Sequence, residues 1–194
     1  MTERKQLWLL AGGNGSGKST FYERYLKPQG MPFVNADVIA RELYPEAPEA
    51  KSYVAARIAD DMRAELLRKR RNFCFETVFS HPSKIDFVAQ AKALDYEVVL
   101  VFIHLDNPDL NNARVSQRVE AGGHHVPDDK VRERIPRTLE NIKVAMALCD
   151  RITVLDNSRY DDPYRPIATI EAGQLRVHAR ALPEWAWDLL GDYL

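Results

Sequence analysis

Apolar and polar positions alternate along this chain in two kinds of run. Five runs are short and nearly continuous in apolar residues, at 7–11, 32–35, 73–77, 97–105 and 151–155, the pattern of strands covered on both faces. Between them the apolar spacing stretches to that of helices. The clearest case runs from about 49 to 71, where Val54, Ile58, Met62 and Leu66 recur at i, i+4 and predict the buried face, with charges on the other side. Further helices are predicted over 19–25, 36–43, 82–94, 108–121 and 128–148, the last bent where Ile135 precedes Pro136. Strands alternating with helices imply a five-stranded parallel sheet with right-handed crossovers, an α/β three-layer fold. The tail differs: 166–171 and 174–180 alternate around Ala172-Gly173 like a small hairpin, and 183–194 predicts a closing amphipathic helix. No repeat, low-complexity tract or linker divides the chain, so a single domain is expected over 1–194, with a core at about 6–158, a lid at about 114–137 and the hairpin and helix at about 164–194.

With 194 residues, 45% of them apolar, the chain can bury a full core. Its 27 Lys and Arg against 28 Asp and Glu leave a net charge of −1. General attraction to nucleic acid or an anionic membrane is therefore not expected, and any anionic ligand must be held locally. Cys74 and Cys149 stand far apart without CxxC spacing, which argues against a disulfide framework or a cysteine zinc site and fits a reducing cytoplasm. The apolar run 7–11 is too short for a signal-peptide core and leads straight into glycines. Nor does any stretch approach the roughly 18 apolar residues needed to cross a bilayer. A soluble, cytoplasmic protein is expected.

Gly12-Gly13-Asn14-Gly15-Ser16-Gly17-Lys18-Ser19 satisfies GxxxxGK[ST], and Thr20 follows it. The run sits between a strand and a helix, where a phosphate-binding loop must lie. Glycines let such a loop turn its N–H groups around phosphate oxygens. Lys18 supplies a solvent-facing, mobile cation, Ser19 a hydroxyl for Mg²⁺, and the helix that starts there points its positive end at the phosphates. The pattern predicts nucleoside triphosphate binding.

Candidate residues for the other substrate stand at strand ends. Asp37, in Phe33-Val34-Asn35-Ala36-Asp37, lies where ligands of open α/β sheets sit and could take the proton of an acceptor hydroxyl. It could equally cap the next helix, as could Asn35. Glu76 and Thr77 end the third strand; Glu76 reads as a Walker B-like acid or a substrate-binding group. Asp106 precedes Asn107-Pro108, the cap and first turn of a helix. Arg114, Arg118, Lys130, Arg132, Arg134 and Arg137 flank Gly122-Gly123-His124-His125 and suggest a lid that brings arginines to the transferred phosphoryl, although Glu120, Asp128, Asp129 and Glu133 are interleaved. The adjacent histidines read as loop residues and not as metal ligands.

The series AGGNGSGKST, NADVIA, FETVFS, AGGHHVPDDKVRERIPRTLENI and VLDNS, in that order, resembles the zeta toxin family of small kinases over about 6–158. The resemblance implies a P-loop kinase fold, ATP with Mg²⁺, and phosphoryl transfer to a small-molecule hydroxyl, UDP-N-acetylglucosamine in the best-known members, which are neutralised by an antitoxin. It also implies phosphate and Mg²⁺ contacts for Lys18 and Ser19, a base role for Asp37, an acceptor pocket at Glu76 and Thr77, and phosphate contact for Arg134. The family's arginine before the VP step appears here as His124, with Arg118 as its substitute. The expected function is thus an ATP-dependent kinase acting on a small metabolite, with a nucleotide sugar as leading acceptor. An ATP-binding regulatory or interaction module with weak hydrolysis is the alternative; Asp37 argues against it, since a switch needs no acceptor base. A nucleic-acid-end kinase is disfavoured by the near-neutral charge.

Overall fold

The computed structural model describes residues 4–120 and 126–194 of the chain. The expected lid residues Gly122, Gly123, His124 and His125 lie outside the described residues. The strands are β1 (Gln6–Ala11), β2 (Phe33–Val34), β3 (Phe73–Thr77), β4 (Glu97–His104), β5 (Arg151–Asp156), β6 (Arg165–Glu171) and β7 (Gln174–Val177). They form one sheet in the order β2-β3-β1-β4-β5-β6-β7. The first five are parallel, as expected. The tail hairpin is not a separate feature: β6 pairs antiparallel with β5, and β7 with β6, so the sheet has seven strands and not five. An antiparallel partner covers the edge of β5 that would otherwise offer unpaired backbone groups.

Helices α1 (Lys18–Phe21), α2 (Ala36–Leu43), α3 (Ser52–Arg68), α4 (Ser83–Ala93), α5 (Pro108–Glu120), α6 (Asp128–Met146) and α7 (Glu184–Leu190) complete the fold. α1 is short because the chain widens at once into a π-turn, Tyr22–Leu26, followed by a tight turn at Lys27–Gln29. α6 runs unbroken through Pro136. None of the described helices is long and apolar enough to cross a membrane.

Strand alternation divides the core into two layers. Leu7, Leu9, Phe73, Phe75 and Phe102 face a layer that includes α3, α4, α6 and α7. Leu10, Cys74, Val101 and Ile103 face the other way, against Tyr22 and Leu26. The buried face of α3 is one residue off the expectation: Ala55, Ala59, Arg63 and Leu67 point inward, Ile58 and Leu66 are half-buried, and Val54 and Met62 are exposed. Two alanines let the helix lie close to its neighbours, and the Arg63 guanidinium covers aromatic rings, so a charged residue occupies what hydropathy alone reads as the outer face.

Candidate active site

β1 stands between β3 and β4. The chain crosses first to one side of it and later to the other, which opens a crevice at the carboxyl ends of the strands. The phosphate-type loop lies there. Gly12 has φ 150°, and a Cβ on it would fall 2.1 Å from the Ile103 carbonyl oxygen; Gly17 has φ 100°, and its Cβ would meet Asn157 Nδ2 at 2.5 Å. Only glycine fits either position. Three side chains from elsewhere in the chain take the loop's carbonyls. Asn111 Nδ2 donates to Asn14 O at 2.6 Å, Asn157 Nδ2 to Ser16 O at 2.8 Å, and the Tyr164 hydroxyl to Gly17 O at 2.9 Å. Asn157 Oδ1 in turn accepts from Tyr164 N at 3.1 Å. Asn14 Oδ1 and Ser16 Oγ are buried without hydrogen-bond partners among the described residues.

Lys18 is not the solvent-facing cation the sequence suggests. It is 5% exposed and donates to Gly12 O at 2.9 Å and Gly13 O at 2.8 Å. Burial lowers its pKa; the charges of Glu76 and Asp37 pull it back up, and Arg118 pushes it further down. Glu76 follows Cys74 at a spacing of two on β3 and so faces the α1 side. Its Oε2 accepts from Ser19 Oγ at 2.6 Å and Asn35 Nδ2 at 2.8 Å, and its Oε1 lies 3.8 Å from Lys18 Nζ. A hydroxyl and a carboxylate thus stand together at the start of α1. No cluster of three or more His, Cys, Asp or Glu occurs among the described residues.

Asn35, not Asp37, caps α2: its side-chain oxygen accepts from Asp37 N at 2.8 Å and Val38 N at 3.1 Å. The Asp37 carboxylate is left exposed in the first turn, lining the cleft. Thr77 also lines the cleft, but its hydroxyl accepts from Phe79 N at 3.0 Å. Phe79 is buried at φ 64°, an unfavourable backbone for a bulky residue. α6 holds the turn in place, with Thr138 donating to Val78 O and Asn141 to Phe79 O.

The cleft measures about 1120 Å³ and is lined by the loop, Asp37, Glu76 and Thr77, among others. Of the six expected lid cations, Arg114, Arg118 and Arg134 line it. Arg132 instead pairs with Asp109 and Arg137 with Glu133 on the solvent side, and Lys130 is exposed away from the cleft lining. The sequence reading missed Asn111 and Tyr164. Asn111, Arg114 and Arg118 share one face of α5 at i, i+3, i+7, a signal that could have joined Asn111 to the site. Asn157 was visible only inside the DNS run.

A sheet in which a strand flanked by parallel neighbours feeds a glycine-rich loop ending in Lys18-Ser19 defines a P-loop protein of kinase-like fold. Within that class the chain belongs to the AAA domain family, whose model matches residues 7–142. It is similar to an uncharacterized protein of Haemophilus influenzae, 30% identical over 138 residues, covering 68% of this chain and 98% of the relative. It is also similar to the dephospho-CoA kinase of Salmonella typhimurium, 33% identical over 75 residues, covering 39% of this chain and only 36% of that enzyme. Two solved structures share the fold. One is the AvrRxo1-ORF1:-ORF2 complex with ATP (TM-score 0.73, 17% identity, 91% of this chain and 61% of that chain). The other is the PezAT chromosomal toxin–antitoxin system of Streptococcus pneumoniae (TM-score 0.67, 18% identity, 100% of this chain and 79% of that chain).

Proposed function

We propose that this chain is an ATP-dependent kinase of zeta-toxin type, transferring the γ-phosphoryl of ATP to a hydroxyl of a small metabolite, with a nucleotide sugar such as UDP-N-acetylglucosamine as leading acceptor. The observation that carries the reading is the presence, in one cleft, of the loop with Lys18, Ser19 and Glu76 and of the exposed Asp37 carboxylate, which capping does not occupy. A triphosphate fits the loop, whose shape a Cβ at Gly12 or Gly17 would break and where two buried polar atoms lack partners among the described residues. Ser19 and Glu76, a hydroxyl and a carboxylate in contact, suit Mg²⁺, a hard cation that takes oxygen ligands and supplies charge neutralisation when bound. Lys18 would turn its buried ammonium from Gly12 O and Gly13 O toward the same phosphates. Asp37 accepts the proton of the acceptor hydroxyl; the freed oxygen bonds to the γ-phosphorus as the bond to the β–γ bridging oxygen breaks, and ADP leaves. Arg134 and Arg118 meet the charge that develops on the phosphoryl group. The likeness to PezAT, a toxin–antitoxin system, supports an antitoxin protein as a partner.

The test is incubation with ATP, Mg²⁺ and a panel of nucleotide sugars, nucleosides and free sugars, followed by a search for the mass gain of one phosphoryl group. Asp37→Asn should lower transfer by ~10²- to 10⁴-fold, the usual worth of a general base, with ATP affinity and thermal stability near the parent's. Unchanged transfer removes Asp37 from the mechanism, and ATP hydrolysis without any product favours the regulatory-module reading.

A further inference from the structure

Away from the P-loop, the cleft wall formed by α3 and α4 carries an unusual charge arrangement. Arg63 is 6% exposed, its guanidinium carbon 4.9 Å from the ring centre of Phe75 and 5.5 Å from that of Phe87. It pairs with Asp60 one turn earlier, and its Nε is buried without a hydrogen-bond partner among the described residues. Lys84, in the first turn of α4, reaches the same Asp60 oxygen at 3.3 Å. Two cations therefore share one carboxylate oxygen, and that carboxylate is itself more than half exposed. Glu76 on the same cleft is already committed to Ser19, Asn35 and Lys18.

Beside the Asp60 pairs and the ring contacts, this arrangement carries costs to stability. A guanidinium loses hydration in the wall, two like charges lie close together, and Lys84 stands at the helix end where the dipole repels a cation. The electrostatics agree: burial brings Arg63 down to about 10, and burial together with the Arg63 charge brings Lys84 down to about 8. One carboxylate serves two cations, and all three residues line the cleft that holds Asp37. Placement that weakens the fold and faces a cleft is characteristic of binding sites.

We propose that Arg63 and Lys84 form a subsite for an anionic group of the acceptor, a phosphate ester or a carboxylate, with Asp60 bridging the two cations; the proposal rests on the kinase reading of this cleft. Asp37 then addresses the hydroxyl of the molecule that Arg63 and Lys84 hold by its charge. A purely structural ion-pair network fastening α3 to α4 makes a different forecast, in which losing either cation lowers stability and leaves the acceptor untouched.

The test uses Lys84→Gln and Arg63→Gln, with Arg63→Lys as the conservative variant should Arg63→Gln fail to fold. Transfer is measured to three sets of hydroxyl compounds: phosphate esters, sugar acids and neutral polyols. The expected result is transfer to phosphate esters or sugar acids and not to neutral polyols, the preferred set telling phosphate from carboxylate. Lys84→Gln and Arg63→Gln should raise acceptor KM on the order of 10- to 100-fold, the worth of a charge-assisted hydrogen bond, with the KM for ATP within about twofold. A neutral polyol as best acceptor, or an acceptor KM unchanged in Lys84→Gln, overturns the proposal. If no compound is phosphorylated, the kinase reading fails, and calorimetry with inorganic pyrophosphate on the Lys18→Ala protein decides the subsite by itself. Binding that Lys84→Gln weakens at least tenfold sustains it; no binding, or binding indifferent to Lys84, overturns it.

Discussion

Asn157 joins two parts of the chain that meet nowhere in sequence, and its removal should be felt in both stability and nucleotide affinity. It is 7% exposed; its amide donates to Ser16 O at 2.8 Å and accepts from Tyr164 N at 3.1 Å. Asn157→Ala deletes both bonds, each worth about 0.5–1.5 kcal/mol net, so the loss is about 1–3 kcal/mol and more if the Ser16 carbonyl finds no water. For a chain of this size 1 kcal/mol corresponds to about 2–4 °C, which places the fall in Tm at about 2–12 °C. The loop also loses its fixed shape, so affinity for a fluorescent ATP analogue should weaken about tenfold. Two companions separate the causes. Tyr164→Phe removes the hydroxyl with its bonds to Gly17 O and Thr20 and keeps the ring contacts with Phe21 and Tyr25, costing about 1–2 kcal/mol. Asn157→Asp keeps an acceptor for Tyr164 N but places a negative charge beside the phosphate loop, so it should harm affinity more than stability. Thermal melts and analogue titrations on all three decide the matter. The reasoning is refuted if Asn157→Ala melts lower yet binds the analogue like the parent, or if Asn157→Asp binds no worse than Asn157→Ala.

Three further outcomes are expected. Lys18→Ala should abolish turnover and, because the ammonium bonds Gly12 O and Gly13 O from a buried position, also lower the Tm of the nucleotide-free protein by a few degrees, about 2–4 °C per kcal/mol lost; turnover like the parent's would contradict the site. Arg134→Ala should lower kcat by on the order of 10³-fold with little change in the KM for ATP, and a larger effect of Arg118→Ala in steady-state assays would transfer the role to Arg118. His104, buried at the end of β4 against the Phe102 and Trp185 rings, has its pKa lowered to about 4 by burial, with Asp156 pulling it upward. The native state thus binds fewer protons than the unfolded chain between about pH 4 and 6.5. Its contribution is intact above pH 6.5 and lost as pH falls toward 4, by about 3 kcal/mol at most, and urea midpoints of His104→Gln should show a flatter pH profile over that window.

The loop and the parallel strands were legible because their demands are local. Glycine is the residue that tolerates the backbone of Gly12 and Gly17, and a strand buried on both faces must be continuously apolar. Asp37 was legible as a candidate, but the choice between cap and cleft turned on one side-chain oxygen of Asn35. α3 was misread by one residue because alanines and an arginine stem do the packing there, and hydropathy weighs neither as core. The clamps on the loop were hidden for another reason: Asn111, Asn157 and Tyr164 lie 97, 141 and 147 positions from the carbonyls they bind. Whether the hairpin would stand apart or extend the sheet was likewise decided by tertiary pairing to β5.

In the proposed kinase, β3 acts as a ruler between the donor and acceptor halves of the cleft. Glu76 projects from one side of this strand toward Ser19, and the adjacent Phe75 projects from the other to carry the Arg63 guanidinium. The offset between the two halves of the cleft is therefore set by a single pleat, about 3.3 Å of rise and a reversal of side. A slip of one residue would exchange the two assignments, turning the acid into the acceptor wall and the ring toward the P-loop. Such a floor cannot hinge, because its two working surfaces are successive residues of one hydrogen-bonded strand between β1 and β2. In the proposed kinase the two halves of the cleft are thus aligned before any substrate arrives.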